Sequence, residues 1–246
     1  MNMSRSLPIL LITGTLAAYG LGTGQSGDDV YAMTPQGMPQ GLIAWWTFDE
    51  ASGATARDSS GSGFDASFDA GVSFQPGKTG NALYSSGKSE GASFTYAPGS
   101  KMDFTPASRP SILFWLKIAA LPGNVRLMGS FDKGGMGVEI NAADRRKIDF
   151  ITFSGSPNTS WPEAVPADQA WHHYAITVDG ANAHLFRDGV LVGTNPFVPN
   201  WASTGGKRFL LGGDAAYSMT GHLDDVRIYD RALSASDIQA VYDATK

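Results

Sequence analysis

The chain has 246 residues, of which 42% are hydrophobic and 17% charged, so it can bury a sizeable core and long disordered segments are not expected. Its net charge of −5 argues against nucleic acid as a partner, because phosphate binding needs clustered lysine and arginine. The chain has no cysteine, which excludes disulfides, thiolate metal sites and cysteine nucleophiles.

Residues 1–32 are predicted to be a signal peptide. Arg5 gives the segment a positive start, and Leu7–Leu21 is largely apolar but too short and too rich in glycine and threonine for a good membrane span. Val30–Ala32 offers compact residues at a cleavage point, although an uncleaved anchor or a buried helix is the alternative. With residues 33–40 as a linker, the mature protein is expected to be secreted, or to lie at the cell surface or in the periplasm, without membrane insertion.

From Gly41 onward, short apolar or alternating runs recur between turn signals and predict a series of strands. The predicted strands are Leu42–Phe48, Ala92–Tyr96, Ser111–Ile118, Val125–Phe131, Gly137–Ile140, Lys147–Phe153, Trp171–Val178, Ala183–Arg187, Val190–Gly193, Arg208–Gly212 and His222–Tyr229. The pair Asp188-Gly189 favours a tight type I′ hairpin turn. Since no helix separates these runs, the pattern predicts an all-β fold, a two-sheet antiparallel sandwich.

One short helix is predicted at the C-terminus. Ser234 can cap it, Asp237 follows three residues later, and Ile238, Val241 and Tyr242 form an apolar stripe. Strong strands lie near both ends of the remaining chain, and jelly-roll topologies often pair such strands. We therefore expect residues 41–246 to form a single domain.

Four segments carry a resemblance to a known family: residues 41–61 (beginning GLIAWWTFDE), 77–83 (GKTGNAL), 171–193 (beginning WHHYAITVDG) and 221–234 (GHLDDVRIYDRALS). In this order they resemble the laminin-G-like jelly roll of the concanavalin-A-like lectin/glucanase group. That group includes lectins, adhesins, modules attached to enzymes and hydrolases, so the resemblance implies a fold and leaves the function open.

Three aspartates are candidate ligands of a structural calcium ion. Asp49 ends the first strand, Asp58 lies in a Gly/Ser-rich loop, and Asp224 belongs to the last strand. If the first and last strands pair, Asp49 and Asp224 approach each other, and Ca²⁺ would relieve their repulsion. The resemblance implies the same, since related jelly rolls often hold calcium near these segments. The alternative is that the carboxylates cap loops, bond a backbone N–H or pair with a nearby arginine.

Aromatic residues in polar loops are candidates for sugar recognition, because saccharides stack on exposed rings. The candidate ligand residues are Trp161, Trp201 and Tyr217, with Phe153 and Asn158 as neighbours by loop character. The alternative is that these rings fasten long loops to a sheet. The tryptophans within the predicted strands are expected to belong to the scaffold: Trp45, Trp46, Trp115 and Trp171.

The sequence lacks the carboxylate pattern of a glycoside hydrolase. Laminarinase-like members of the resembled group carry an E-x-D-x-x-E run, whereas the glutamates here are isolated: Glu50, Glu90, Glu139 and Glu163. Asp224 and Asp225 are adjacent in a strand, so their side chains are expected on opposite faces. A lyase of similar shape needs His and Tyr on facing strands, which His173 with Tyr96 or Tyr217 would imitate.

The sequence predicts an exported, non-catalytic module that binds extracellular carbohydrate or a cell-surface partner. A first alternative is a self-associating structural or adhesive surface protein, which should expose an edge strand or an apolar patch. A second alternative is a polysaccharide-degrading enzyme with a non-standard site, which should have a groove where two carboxylates, or His and Tyr, converge.

Overall fold

The computed structural model describes residues 38–87, 91–121, 123–131, 135–141, 147–152, 159–162, 164–201 and 207–246. All of them fall within one compact unit, Tyr31–Lys246. The predicted signal peptide, most of the predicted linker, Phe153 and Asn158 lie outside the described residues. Within these ranges, no helix has the length and apolar character needed to cross a membrane.

In the described part of the chain, sixteen strands and one helix form. In chain order they are β1 (Leu42–Trp46), β2 (Thr55–Ala56), β3 (Ala66–Phe68), β4 (Val72–Pro76), β5 (Asn81–Ser86), β6 (Ala92–Tyr96), β7 (Ser111–Ala120), β8 (Val125–Gly129), β9 (Met136–Asn141), β10 (Lys147–Thr152), β11 (Thr159–Trp161), β12 (His172–Val178), β13 (Asn182–Arg187), β14 (Val190–Pro196), β15 (Lys207–Leu211), β16 (Thr220–Tyr229) and α1 (Ala235–Thr245).

The strands form two antiparallel sheets, which confirms the predicted fold class. The first sheet has the order β14-β13-β12-β7-β16-β5-β4, and the second has the order β11-β10-β9-β8-β15-β6-β3-β2. In addition, β1 pairs with β16, with Trp45 opposite Arg227. The first and last strands of the domain are therefore neighbours, as the jelly-roll pattern predicts.

The core lies between the two sheets and is built by alternation along the strands. In β7, Ile112, Phe114 and Leu116 share one face through their period of two, and this face points into the core. Trp46 is fully buried there, with ring centroids 5.4 Å from Phe94 on the second sheet. Below, the face of each sheet that points away from this core is called its outer face.

The helix α1 packs on the outer face of the first sheet. Its start is the predicted capping box, in which Ser234 Oγ accepts from the Asp237 N–H at 3.1 Å and the Asp237 carboxylate accepts from the Ser234 N–H at 3.1 Å. Ile238 and Val241 then pack against Leu113 and its neighbours on the sheet. Because α1 covers this face, β7 is apolar on both sides over part of its length.

Local backbone geometry explains where the structure differs from the prediction. Strand β1 ends at Trp46, two residues early, because Phe48 adopts a positive φ of 58° that no strand continues. The predicted hairpin turn is present, with φ of 52° at Asp188 and 80° at Gly189. Strands β2 to β5 and β11 were not predicted, since they are short or half-buried and lack a clear apolar alternation.

Candidate functional site

A β-bulge in β16 shapes one end of the first sheet. The pairing with β7 shifts between Asp224 and Arg227, and Asp225 has a positive φ of 51°. As a result, Asp224 and Asp225 line the same cavity, which corrects the expectation that adjacent strand residues point to opposite faces. Strict alternation fails here because a bulge places an extra residue against one residue of its partner.

The cavity at this bulge has a volume of about 150 Å³ and is called the acidic cavity here. Its lining is Trp45, Thr47, Asp49, Thr79, Trp115, Asp224, Asp225, Arg227, Ala244 and Thr245. Asp225 accepts a hydrogen bond from Trp45 Nε1 at 2.6 Å and pairs with the Arg227 guanidinium. Burial raises the pKa of Asp225, while Arg227 opposes this rise.

Asp224 is the most buried carboxylate of the acidic cavity, at 2% exposure. Its Oδ2 accepts the backbone N–H groups of Lys78 at 2.8 Å and Thr79 at 3.2 Å. Burial raises the pKa of Asp224 to about 7; the two N–H groups oppose this, and the charges of Asp225 and Asp49 add to it.

The loop that follows β4 is shaped around these carboxylates. A Cβ on Gly77 would lie 2.6 Å from Asp224 Oδ2, and one on Gly80 would lie 1.9 Å from Asp49 Oδ1. Gly80 also has a positive φ of 59°, and the next N–H, of Asn81, donates to Asp49 at 2.9 Å. Glycine is therefore needed for the close approach of this loop.

The three predicted calcium ligands do not come together as one set. Asp49 and Asp224 line the acidic cavity, but Asp58 accepts the backbone N–H groups of Trp45, Ser60 and Phe64 at 2.9–3.0 Å. For Asp58 the loop-capping alternative is the correct description. Among the residues that the structure describes, no three His, Asp or Glu side chains form a group suited to a metal ion. Asp49 and Asp224 suit two oxygen ligands of a hard cation, and calcium stays a prediction.

The two loop tryptophans are core residues. Trp161 lies in the short strand β11 at 2% exposure, and its Nε1 donates to the Gly193 carbonyl at 3.2 Å. Trp201 is 1% exposed and packs against Phe150, Phe197 and Phe104. Because a stacking ring must offer a face to its ligand, this burial corrects the prediction that these two rings bind sugar. Tyr217, the third predicted residue, is 37% exposed.

Polar side chains cross the outer face of the second sheet. Arg126 on β8 lies opposite Glu139 on β9, Glu139 opposite Asp149 on β10, and Asp149 opposite Ser160 on β11. Each of the three charged residues stands between two core residues of its own strand, so its side chain points outward. We call these four residues the polar row. The same alternation was visible in the sequence, where Glu139 separates Val138 from Ile140.

Charge and burial differ along the polar row. Asp149 is 2% exposed and accepts hydrogen bonds from Asn141 Nδ2, at 2.8 Å, and from the Ser160 hydroxyl. The Glu139 carboxylate lies 3.8 Å from Arg126 Nε. Burial raises the pKa of Glu139, the Arg126 charge lowers it, and the Asp149 charge raises it further.

At the Arg126 end, the polar row opens into a cleft of about 320 Å³, called the Arg126 cleft here. The cleft is lined by Arg126, Phe131, Arg208, Leu210, Asp214, Ala215 and Ala216. The Arg126 guanidinium pairs with Asp214 and lies 4.3 Å from the Phe131 ring centroid and 4.5 Å from that of Tyr217. Asp214 also accepts the N–H of Tyr217 at 2.9 Å, which fixes the loop that carries this ring.

The sequence nominates Tyr217 as a candidate, and it does not mark Arg126, Phe131 or Asp214, which the structure places beside this ring. Arg126 and Asp214 are 88 residues apart, and they meet because β8 and β15 are neighbours in the second sheet. The sequence contains no local signal for that pairing. The cleft therefore arises from the strand order of the second sheet, and no local sequence motif marks it.

The predicted lyase-like arrangement does not form. His173 is buried beneath α1, with ring centroids 5.3 Å from Trp115 and 5.8 Å from Tyr242. Tyr96 lies on the second sheet and Tyr217 on a loop beside that sheet, so neither faces His173. Burial lowers the pKa of His173 to about 3, and neither ring nitrogen has a hydrogen-bond partner within the described ranges.

Comparison with known proteins places this chain in a broad group. The family model Laminin_G_3, described as the concanavalin A-like lectin/glucanases superfamily, matches residues 89–239, more than half of the chain. This span includes the middle third of the domain and the Arg126 cleft. No curated protein matches the chain.

Solved structures of the same fold are similar at low sequence identity. Domain 4 of the GH43 extracellular arabinanase AbnA from Geobacillus stearothermophilus, in complex with arabinotriose, has a TM-score of 0.61 and 19% identity, over 82% of this chain and 98% of that one. The binding domain of Paraclostridial Mosquitocidal Protein 1 has a TM-score of 0.64 and 16% identity, over 83% and 52%.

A third similar structure is the Trypanosoma rangeli sialidase in complex with 2,3-difluorosialic acid, with a TM-score of 0.61 and 18% identity, over 87% of this chain and 35% of that one. The chain thus spans about half of the mosquitocidal binding domain and about a third of the sialidase. At these identities the similarity describes the fold.

Proposed function

The chain belongs to the concanavalin A-like lectin/glucanase superfamily, and within it we propose that the protein is a non-catalytic module that binds extracellular carbohydrate at the Arg126 cleft. The observation that carries the proposal is the composition of this cleft. The lining combines the Phe131 ring with the charged groups of Arg126 and Asp214, and the exposed Tyr217 ring contacts Arg126 beside this lining.

The chemistry of the cleft matches that of a saccharide. Sugar hydroxyls both donate and accept hydrogen bonds, and the cleft offers guanidinium donors at Arg126 and Arg208 and a carboxylate acceptor at Asp214. The apolar face of a sugar ring packs on an aromatic side chain, and the partly exposed Tyr217 ring lies beside the cleft, 4.5 Å from the Arg126 guanidinium. Because Arg126 is already paired with Asp214, its charge is compensated, which favours a neutral saccharide over an anionic one.

The similar structures lend support of a general kind. The arabinanase domain was solved with arabinotriose, and the mosquitocidal protein domain is a binding domain. A binding role for this chain agrees with both. Retardation of the protein in gels that contain soluble polysaccharides tests the proposal. Tyr217→Ala is the site variant, and Val198→Ala, at an exposed residue of the segment after β14, is the control.

One observation favours the hydrolase alternative. Glu139 and Asp149 are carboxylates side by side on neighbouring strands, and the pKa of Glu139 is raised. However, Asp149 is 2% exposed and is held by Asn141 and Ser160, so it has no room to attack or to activate water at a glycosidic bond. Release of reducing ends that disappears in Glu139→Gln would favour the enzyme over the binding module.

Another observation favours the adhesive alternative. Strand β14 is the edge of the first sheet and exposes Val190, Leu191 and Val192, at 69%, 50% and 40%. The rest of β14 contacts β11, because Trp161 donates a hydrogen bond to the Gly193 carbonyl and Asn195 donates one to the Ser160 carbonyl at 2.8 Å. The free segment is three residues long, which is short for strand pairing. Concentration-dependent growth in size, abolished by Leu191→Lys, would favour adhesion.

Calcium and export are two further parts of the proposal. Ca²⁺ at the acidic cavity would neutralise Asp49 and Asp224, two carboxylates that line one small space and repel each other. We also propose that residues 1–32 direct export and are removed, which gives the module access to glycans outside the cell. A secreted protein whose N-terminal sequence begins at Met33 would support export, and an intact Met1 would contradict it.

A further inference from the structure

A second row of side chains crosses the outer face of the first sheet, beyond the part that α1 covers. Lys117 on β7 lies opposite His222 on β16, His222 opposite Tyr84 on β5, and Tyr84 opposite Ser73 on β4. These side chains point outward, because their strand neighbours Leu116, Leu223 and Leu83 belong to the core.

Aromatic rings are in contact along this row. The His222 ring centroid lies 4.9 Å from that of Tyr84 and 5.8 Å from that of Trp171, which precedes β12. Gln75 Oε1 lies 3.4 Å from His222 Nε2. We call Trp171, Lys117, His222, Tyr84 and Gln75 the aromatic row. All five side chains are half-buried, unlike the fully buried Trp161 and Trp201. Part of each of the three rings therefore remains at the surface.

The rings form an angled surface. Tyr84 is inclined by 46° and Trp171 by 59° to the His222 plane. The flat face of a crystalline polysaccharide could not touch all three side-chain rings at once. A single, twisted polysaccharide strand can place successive sugar units on successive side-chain rings. Because Trp171 lies in a predicted strand, its position in the sequence marked it as scaffold, and only the register of four strands reveals its neighbours.

The charge of the aromatic row is positive. Burial lowers the pKa of His222, as does the nearby Lys117, whose ammonium group is the cation of this row. None of the five residues is acidic. The closest carboxylate along β16 is that of Asp224, which is buried in the acidic cavity and bonded to the loop after β4.

We propose that the aromatic row is a second glycan site, specific for an acidic polysaccharide strand that contains uronic acid. Sugar faces pack on Trp171 and Tyr84, the uronate carboxylate pairs with Lys117, and Gln75 bonds a hydroxyl. The inference rests on the proposed carbohydrate-binding function but concerns a different face, because the Arg126 cleft belongs to the second sheet. One module would then hold two strands, or two parts of one strand, with a gain in avidity.

Calorimetric titration with oligogalacturonate tests this site in the full mature chain. Lys117→Gln should weaken binding about fivefold and flatten its salt dependence, because the ion pair is lost while the stem remains. Tyr84→Ala should weaken binding about tenfold, and Tyr84→Phe should restore most of it if the ring face is what matters. Val198→Ala should bind like the native protein.

Variants at the two faces separate the two proposals. If Lys117→Gln and Tyr84→Ala bind oligogalacturonate as tightly as the native protein, the aromatic row proposal is overturned, while a loss of neutral-glycan binding in Tyr217→Ala would leave the Arg126 cleft standing. If Tyr217→Ala changes no glycan binding but the row variants do, the cleft proposal fails and the row survives. Trp171→Phe keeps an aromatic ring at this position and serves as a conservative variant. A thermal melt of each variant shows whether it is folded.

Discussion

Trp45 Nε1 donates a hydrogen bond of 2.6 Å to the carboxylate of Asp225, across 180 residues of chain. The bond joins the first strand of the domain to the bulge of the last one, and the Arg227 guanidinium lies 4.7 Å from the same Trp45 ring. Asp225 holds a positive φ at this point, so its two partners stabilise a backbone conformation that is costly for a non-glycine residue.

Replacing Trp45 with Phe should destabilise the domain by about 1.5–3 kcal/mol, because it keeps the ring but removes a hydrogen bond to a buried charged group. Urea unfolding measures the change. Asp225→Asn and the double variant complete a mutant cycle, in which the two effects should not add. Equal stability of native protein and Trp45→Phe, within about 0.5 kcal/mol, would show that the bond does not hold the bulge.

His173 should make the domain sensitive to acid. Its folded-state pKa of about 3 lies below its ordinary value of 6.5, so the unfolded chain binds the extra proton first as the pH falls. Stability is therefore unaffected by this group above pH 6.5 and is lost progressively between pH 6.5 and 3, by up to about 1.4 kcal/mol per pH unit.

The variant His173→Phe should remove this part of the pH dependence, since Phe fills the space between Trp115 and Tyr242 without a proton to bind. Urea unfolding at pH 7 and pH 4 measures the difference. Arg227 and Asp188, the charged groups that act on His173, stay in place in this variant. An unchanged loss of stability between the two pH values would assign the acid sensitivity to other groups.

If the acidic cavity binds calcium as proposed, the ion should raise the melting temperature of the native protein, and a chelator should lower it again, because only the folded chain forms this cavity. Asp49→Asn should abolish this response. Asp58→Asn is the matched control, because Asp58 caps a loop through three backbone N–H groups and should lose stability equally with and without calcium. A native melting temperature indifferent to both calcium and chelator would contradict the prediction.

Truncating the buried tryptophans should act on stability. Trp161→Ala and Trp201→Ala should each cost about 3–5 kcal/mol, as large aromatic truncations in a core do. Tyr217→Ala, at a more exposed ring, should stay within about 1 kcal/mol of the native protein. Chemical denaturation distinguishes these outcomes. A neutral effect of Trp201→Ala would mean that this ring is not part of the core in solution.

Much of the fold follows from the sequence because its strands alternate strongly. The period of two in β12 places Tyr174, Ile176 and Val178 on one face, which is the core face, and Ser234 with Asp237 marks the helix start. Local chemistry also accounts for the Asp188-Gly189 turn, since both residues tolerate a positive φ. These features depend on neighbours in the sequence.

The candidate sites depend on long-range geometry, which the sequence pattern does not display. Asp225 joins Asp224 in one cavity because of a bulge, and alternation predicts the opposite. Trp161 looks like a loop residue because its surroundings are polar, yet a three-residue strand carries it into the core. The polar row and the aromatic row both arise from strand order and register, so they appear only once the sheets are assembled.

The central claim, glycan binding at the Arg126 cleft, is tested most directly by affinity electrophoresis in gels containing arabinan, laminarin or polygalacturonate, followed by titration with oligosaccharides of the polymer that retards the protein. The native protein and Val198→Ala should be retarded equally. Tyr217→Ala should lose about tenfold in affinity for a neutral polymer, because its ring no longer packs on the sugar. No retardation by any polymer, or equal affinity of Tyr217→Ala and the native protein, would contradict the account.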